Sequence, residues 1–375
     1  MSDCYAPRTG GIETQVRDLA RAQVRAGHEV HVLTATPGPH GEGGGLVEDD
    51  DGVQVHRLGT HLPFDLPVNP AAPPRMRALL REVAPDVVHV HAGVVSPFAY
   101  DGARVARRAG VPLAITWHCM LDGLVPALRG AARLGGWRGA PAALSAVSAA
   151  AAERVHGVFG VPVGVLPNGM DLDQWVPEPA GQAGSAGSVA GASGLRCVAT
   201  MRLAPRKRGL ALLAIVEDAM TQLEPGQLTV EVMGDGPTRA AMGRRVRRRG
   251  LSESVTLRGR LSRDQVRAAY RHADVFVAPA VLEAFGIAAL EARAAGLVVV
   301  ARRGTGIEEF ITDELDGLLV DDDAGMARAL VRLATDGALL ESLRGHARAH
   351  RPMQGWRVTL AAAQAEYARA AAQLL

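Results

Sequence analysis

At 375 residues the chain is too long for one ordinary hydrophobic core, and its length predicts two domains. Lys plus Arg (41) nearly balances Asp plus Glu (39), so no net field recruits nucleic acid, which is excluded as a partner. Cys4, Cys119 and Cys197 are odd in number and lack zinc spacing, which fits a reduced, cytoplasmic compartment. No apolar run approaches about 18 residues and no charged-then-apolar leader opens the chain. The expectation is a soluble protein, at most peripheral to the inner face of the plasma membrane.

Pro7-Arg8-Thr9-Gly10-Gly11-Ile12-Glu13 reads as a glycine turn entering an amphipathic helix to about residue 26, with Val16, Leu19, Ala20 and Val24 as its apolar stripe. Such a turn lets backbone approach a phosphate or a sugar, and serves equally as a plain helix entry. A strand over 29–34, a loose Gly-rich and acidic loop over 37–52, a strand over 53–58 and a helix over 72–83 follow. The run 85–91 reads as a buried strand on which His89 and His91 share a face, His91 at the functional end; local hydrogen bonds can account for both. After a helix over 97–109, the strand 112–118 runs out on His118, whose neutral imidazole can donate or accept at a sugar hydroxyl. Residues 121–137 are mildly amphipathic and basic, with Arg129, Arg133 and Arg138, which suits a solvated face or a lipid surface. A strand over 142–147, a helix over 148–158, a strand over 163–166 and the turn Pro167-Asn168-Gly169-Met170-Asp171 close the first half.

Residues 177–194 are Gly, Ala, Ser and Pro with almost no apolar bulk, and read as a flexible loop beside a domain junction. Strands are then expected over 195–201, 228–233, 255–259, 274–278, 297–301 and 317–320, with helices over 208–222, 236–249, 262–272, 285–295 and 323–335. This alternation predicts a second doubly wound sheet. The loop Met201-Arg202-Leu203-Ala204-Pro205-Arg206-Lys207-Arg208-Gly209 is dense in cations at a strand's carboxyl end; Arg can fork onto a diphosphate and Lys supplies a point charge. Gly234-Asp235-Gly236-Pro237 is a turn that starts a helix. Glu283 sits in the loop leaving a strand and Glu291 in the first turns of the next helix, at the sheet edge where ligands bind. Two acceptor carboxylates beside the helix-opening N–H groups around 285–288 describe a nucleotide-sugar site. Helices over 339–350 and 352–375 end the chain, the last carrying Trp356, Leu360, Ala363 and Tyr367 on one stripe.

The ordered set GGIE at 10–13, PDVVHVH at 85–91, TWH at 116–118, PNGMD at 167–171, RLAPRK at 202–207, GDGP at 234–237 and Glu-x7-Glu at 283–291 resembles the retaining glycosyltransferases of family 4. The resemblance spans nearly the whole chain, and more loosely takes in actinobacterial mannosyltransferases that act on inositol lipids or related inositol acceptors. It implies an α/β GT-B fold of two Rossmann-like doubly wound domains facing a cleft. The acceptor-side domain would span 1–172, a linker 173–194, the nucleotide-sugar domain 195–352, and a helix over 353–375 would pack back on the first domain. The implied activity is retaining, metal-independent transfer of a hexose from a nucleotide-diphosphate sugar to a hydroxyl of a lipid, polyol or glycan acceptor. No cofactor is implied beyond that donor, and a peripheral membrane contact is. Arg202 and Lys207 would hold the diphosphate, Glu291 the ribose and Glu283 the donor sugar. Gly286 and Ile287 would offer backbone N–H groups beside Phe285, and Gly11 would approach the diphosphate. His118 would meet the sugar near its reacting carbon, and Gly259 and Arg260 lie where the base stacks. The resemblance implies no metal, and the two cations can stand in for one.

The chain departs from the family pattern at its start, where Met1-Ser2-Asp3-Cys4 stands in place of an apolar first strand. The expectation is a missing central strand, two exposed strand edges and a Gly10–Gly11 turn without rigid support. A nucleotide-sugar epimerase and a catalytically silent binding subunit on the same fold are the competing functions.

Overall fold

The computed structural model describes residues 1–8, 10–38, 45–59, 69, 71–176 and 194–374; nearly all of the Gly/Ala/Ser-rich segment expected to be flexible, 177–193, lies outside the described residues. The chain divides into two units, Met1–Met170 with Gln354–Leu375, and Asp171–Met353.

The first unit runs α1 (Gly11–Arg25), β1 (His31–Thr34), β2 (Leu46–Asp50), β3 (Val53–Arg57), α2 (Ala72–Val83), β4 (Val88–Ala92), α3 (Pro97–Ala109), β5 (Leu113–Trp117), α4 (Val125–Leu134), β6 (Ala143–Ala146), α5 (Ala149–Phe159) and β7 (Val163–Val165). Three strands pair in the order β2-β3-β1 and four in the order β4-β5-β6-β7. Ser2 joins the two sets through one parallel bridge to Thr34 and another to His91. The Ser2 N–H donates to the Leu33 carbonyl (3.1 Å) and the His91 N–H to that of Met1 (3.0 Å). The expected gap is therefore spanned by Met1 and Ser2 towards the carboxyl ends of β1 and β4.

The turn after it does not lack support. Tyr5 is fully buried and packs with Val16, Ala20, Val32, Val53 and Val55. Asp3 accepts the N–H groups of Phe98 (3.0 Å) and Ala99 (3.3 Å), so it caps α3 from a distant part of the chain. Side-chain burial and a remote cap anchor the segment where a longer strand would have used a ladder.

The strand β2 corrects the expectation of a loose loop over 37–52. It pairs antiparallel with β3, Asp50 opposite Val53, so Asp51 and Gly52 alone make the turn. Both have positive φ (56° and 84°), the requirement of a two-residue hairpin turn that Asp-Gly satisfies. No apolar alternation marks this strand because charge holds it. Glu48 pairs with the buried Arg57 guanidinium. Asp50 accepts from Arg17 (2.8 Å), from Tyr5 Oη (2.9 Å) and from Arg21.

The second unit runs β8 (Leu195–Thr200), α6 (Gly209–Met220), β9 (Leu228–Met233), α7 (Arg239–Arg248), β10 (Val255–Gly259), α8 (Arg263–Arg271), β11 (Val275–Ala278), α9 (Ile287–Ala294), β12 (Val298–Arg302), β13 (Gly317–Val320), α10 (Asp323–Thr335) and α11 (Gly337–Ala349). Its sheet has the order β10-β9-β8-β11-β12-β13, every pair parallel. Numbered within the unit this is 3-2-1-4-5-6, the doubly wound order whose direction reverses between β8 and β11. Helices on both faces explain why β11, and β12 up to its final Arg302, are apolar rather than alternating. The two units are thus the pair of Rossmann-like sheets expected of a GT-B chain.

The last helix, α12 (Trp356–Ala372), belongs to the first unit. Arg369 donates to the Leu144 carbonyl (2.7 Å), and Ala370 packs on Ala114 and Ala143. Near the unit boundary, Leu172–Trp175 forms a 3-10 turn within the segment expected to be a linker, and its Trp175 packs 5.6 Å from the Tyr270 ring in the second unit.

Burial alone would raise the pKa of Asp50, but hydrogen bonds from Arg17, Arg21 and Tyr5 outweigh it and hold the carboxyl well below the usual carboxylate range. Replacing Asp50 with Ala should therefore cost about 1–3 kcal/mol, the range for removing a partner from buried polar groups. Urea unfolding reads this as a lower midpoint at unchanged slope; an unchanged midpoint would show that the acidic strand does not anchor α1.

Candidate active site

In an open α/β sheet, ligands bind outside the carboxyl ends of the strands where the winding reverses. In the second unit that point lies between β8 and β11, and the loops leaving them are the cation-rich loop and the loop carrying Glu283. The structure brings the two into contact: the Lys207 ammonium is ion-paired with the Glu283 carboxylate.

Each loop is held from beneath. The Leu203 N–H donates to the Asp235 carbonyl (2.8 Å), and the Leu203 carbonyl accepts the Thr238 N–H (2.9 Å) and hydroxyl (2.8 Å). The Gly-Asp-Gly-Pro turn is thus the buttress of the cation loop. Gly234 has φ 139°, and a Cβ there would stand 1.8 Å from the Met201 carbonyl oxygen. Lys207 ends a short 3-10 turn, and Arg208 follows in the left-handed region at φ 60°. Such strain in a non-glycine residue needs compensation. A two-toothed ion pair to Asp323 (2.7 and 2.8 Å) and a bond to the Pro279 carbonyl (3.0 Å) supply it. Arg202 is exposed beside this anchored turn.

The Glu283 carbonyl accepts the Gly306 N–H (2.8 Å). Gly286 turns the chain into α9 at φ 88°, and Ile287 is the first residue of that helix. The first N–H groups of any α-helix lack intrahelical acceptors, so Ile287 and its neighbours present donors. Phe285 contributes no side chain here, being buried against Phe310 at 5.5 Å between ring centres. Glu291 lies inside α9, only 9% exposed. Beneath it Tyr270 donates to Thr200 Oγ1 (2.9 Å), and burial together with the Glu291 charge pushes the phenol pKa well up. Gly259 ends β10 at φ 76°, its carbonyl accepting the Gly234 N–H (2.7 Å), and Arg260 next to it is exposed.

Gly11 and His118 belong to the first unit. Gly11 is the first residue of α1, and the Glu13 carboxylate folds back so far that a Cβ on Gly10 would lie 2.3 Å from it. Glu13 also faces Arg8 at 3.6 Å, so a carboxylate of the chain itself lies at this helix start. The turn at 167–171 is fixed by Gln15, whose amide donates to the Gly169 carbonyl (2.9 Å) and accepts its N–H (3.1 Å).

His118 follows β5 and its Nε2 lies 3.0 Å from His91 Nδ1. His89 on the same face is bonded to Tyr367 Oη (2.9 Å) and Thr116 Oγ1 (2.7 Å). Burial lowers the pKa of all three: His89 to about 3, His118 to about 4, His91 well below its ordinary value, with the neighbouring histidines adding to the shift at His89 and His91. The alternation of His89 and His91 placed them on one face; the bond from His91 to His118 needed the pairing of β4 with β5, which sets His91 beside Thr116.

Two of the three arginines expected on a basic face also serve the fold. Arg129 donates to the Gly157 carbonyl (2.8 Å) and Arg138 to that of Phe159 (3.4 Å), so both meet the carbonyl end of α5, where cations are favoured. Among the described residues no group of three or more His, Cys, Asp or Glu could hold a metal ion, and no helix is long and apolar enough to cross a membrane.

Residues 9–174 match the model of Glycosyltransferase Family 4, and residues 194–336 that of the Glycosyl transferases group 1. The chain is a glycosyltransferase. This glycosyltransferase is 27% identical over 328 residues to the GDP-mannose-dependent alpha-(1-6)-phosphatidylinositol monomannoside mannosyltransferase of Mycobacterium tuberculosis, covering 84% of this chain and 83% of that one. It is 29% identical over 392 residues to the D-inositol 3-phosphate glycosyltransferase of Xylanimonas cellulosilytica, covering 96% and 92%. Among solved structures, the Anabaena HepE complex with UDP and glucose superposes on it with a TM-score of 0.72 at 18% identity, over 97% of this chain and 99% of that one. The sucrose-phosphate synthase of Thermosynechococcus elongatus does so with 0.71 at 22% identity, over 97% and 94%. These likenesses carry the GT-B fold.

The lowered histidine pKa values fix a sign for acid stability. All three are neutral when folded, whereas the unfolded chain takes up protons as pH falls through 6.5, their ordinary value. Their contribution is complete above that pH and is lost progressively from there towards about 4, where His118 begins to protonate in the folded state. The urea midpoint of the first unit's transition should fall across this window; a flat profile from neutral pH to 4 would contradict the burial of these rings.

Proposed function

We propose that the enzyme transfers a hexosyl group from a nucleotide-diphosphate sugar to a hydroxyl of a lipid, polyol or glycan acceptor, with retention of configuration. The observation that carries this reading is the contact of Lys207 with Glu283 where the sheet of the second unit reverses. A cation for a diphosphate and a carboxylate for sugar hydroxyls are brought there by two separate, individually anchored loops. Arg202 on the same loop adds a second cation, and Glu291 in α9 supplies the carboxylate for the ribose.

The chemistry asks for little else. The bond from the anomeric carbon to the phosphate oxygen breaks as a bond to the acceptor oxygen forms on the same face. The acceptor's proton passes to the departing phosphate oxygen, so no protein base is required. Negative charge grows on the diphosphate as this happens, and Lys207 and Arg202 stabilise it in the transition state more than in the bound donor. His118 meets a donor-sugar hydroxyl near the reacting carbon as a neutral imidazole. Gly11 approaches the diphosphate; Gly259 and Arg260 border the base. The inositol-acceptor enzymes among the relatives make a polyol or inositol-bearing lipid the first acceptor to test.

Lys207→Ala and Arg202→Ala should each lower turnover by about 100-fold or more, as for lost electrostatic stabilisers. Either variant working at the wild-type rate would remove that residue from the mechanism. Glu291→Gln should raise the donor Kd, read by calorimetry, while Glu283→Gln acts mainly on kcat. Conversion of the nucleotide-sugar with no acceptor present would favour an epimerase instead.

For the membrane we infer a weaker, peripheral contact through α4. Leu134, 91% exposed, and Leu124 next to the helix start support it, with Arg133 as the one basic residue of the three that makes no cap to α5. Co-sedimentation with anionic vesicles should fall for Leu134→Asp combined with Arg133→Glu; equal sedimentation of variant and wild type would remove this face from the account.

A further inference from the structure

Two of the clustered histidines differ in what their surroundings explain. The amide of Gln23 donates to Tyr367 Oη (2.7 Å), so the Tyr367 hydroxyl donates onward to His89 Nδ1 (2.9 Å). The proton of His89 is then on Nε2 and is given to Thr116 Oγ1 (2.7 Å), whose hydroxyl passes to Ser145 Oγ (2.8 Å). Every donor in this row has one acceptor, and His89 is accounted for as a structural link between α12 and the sheet.

His91 stands outside that row. It is 7% exposed, and its Nδ1 lies 3.0 Å from Nε2 of His118. A bond between two imidazole nitrogens uses one N–H and one lone pair, so a single proton sits between the rings and the direction of the bond sets the tautomer of each. The main chain runs the same way, the His118 N–H donating to the Ala92 carbonyl (2.9 Å). Residue 118 is thereby tied to β4 through both its backbone and its ring. The ring nitrogen of His118 that this arrangement leaves for a ligand is Nδ1.

We propose that His91 is a positioning residue for sugar transfer: its hydrogen bond to His118 Nε2 fixes the orientation and tautomer of that ring, so that Nδ1 of His118 is the atom that meets the donor sugar. This rests on the reading of His118 given above. Holding a reacting-centre contact in place acts on kcat far more than on donor binding, because a misplaced group costs rate while most donor contacts lie elsewhere.

The test uses the full chain with a nucleotide-sugar donor, and compares His91→Leu, His91→Asn and His118→Ala. Asn sets an amide where Nδ1 stood, and Leu sets nothing polar. His91→Leu should lower kcat by about 10- to 100-fold with donor KM within about threefold, and His91→Asn should recover most of the loss. Independently of activity, nitrogen-15 shifts of His118 should show one neutral tautomer in the wild type and in His91→Asn. They should show an averaged mixture in His91→Leu, with thermal unfolding confirming that each variant is folded. A folded His91→Asn as impaired as His91→Leu, or an averaged His118 tautomer in the wild type, would overturn the positioning role alone. His118→Ala at the wild-type rate would instead overturn the reading of His118, and the role of His91 with it.

Discussion

A parallel strand buried on both faces must pair its backbone on both edges, because an unpaired N–H or C=O away from water costs about as much as a lost hydrogen bond. The two sheets of this protein meet that demand differently. The second has six strands, each paired with its neighbours in parallel ladders. The first meets it between β1 and β4 with Met1 and Ser2. What surrounds Ser2 carries the remaining burden: Asp3 on α3, Tyr5 in the core and, through Tyr5, Asp50 with two arginines of α1. Side chains thus do work that backbone does elsewhere, and the helix entry at Gly10 and Gly11 depends on them.

The same demand places the chemistry. Strand ladders end at the sheet edge, and the chain that leaves them must be fixed by other contacts if it is to hold a charge in place. In the second unit each departing loop has such a fixing. Leu203 is bonded to the turn at 234–238, Arg208 to Asp323, and Glu283 by its carbonyl to Gly306. Lys207 and Glu283 therefore meet on supports that belong to different strands, the kind of preorganisation that the proposed electrostatic role would need.

Much of this was legible in the sequence because it is local. The order of strands and helices follows from apolar runs punctuated by glycine, and the cations and carboxylates stand in loops that such runs define. The pairing of Lys207 with Glu283 was not, since the residues are distant in sequence and meet only through the strand order. For the same reason the bond from His91 to His118 was out of reach although both residues stood out. The acidic strand β2 was missed for a different cause. Its apolar content is slight, and its partners Arg17, Arg21 and Arg57 lie on other elements. Asp51-Gly52, a two-residue turn signal, was the one local mark it left. Arg129 and Arg138 look like a basic surface until α5 is seen to end beneath them.

The ion pair of Lys207 and Glu283 also bears on what leaves the enzyme. A ligand that draws the ammonium to itself strips the carboxylate of its partner, and side chains only 23% and 18% exposed regain little of that from water. On the roles proposed above, a whole nucleotide-sugar would offset the loss by giving Glu283 sugar hydroxyls to accept. A bare nucleoside diphosphate would not, so on that proposal the pull of Glu283 on Lys207 would compete with the product once the sugar has gone.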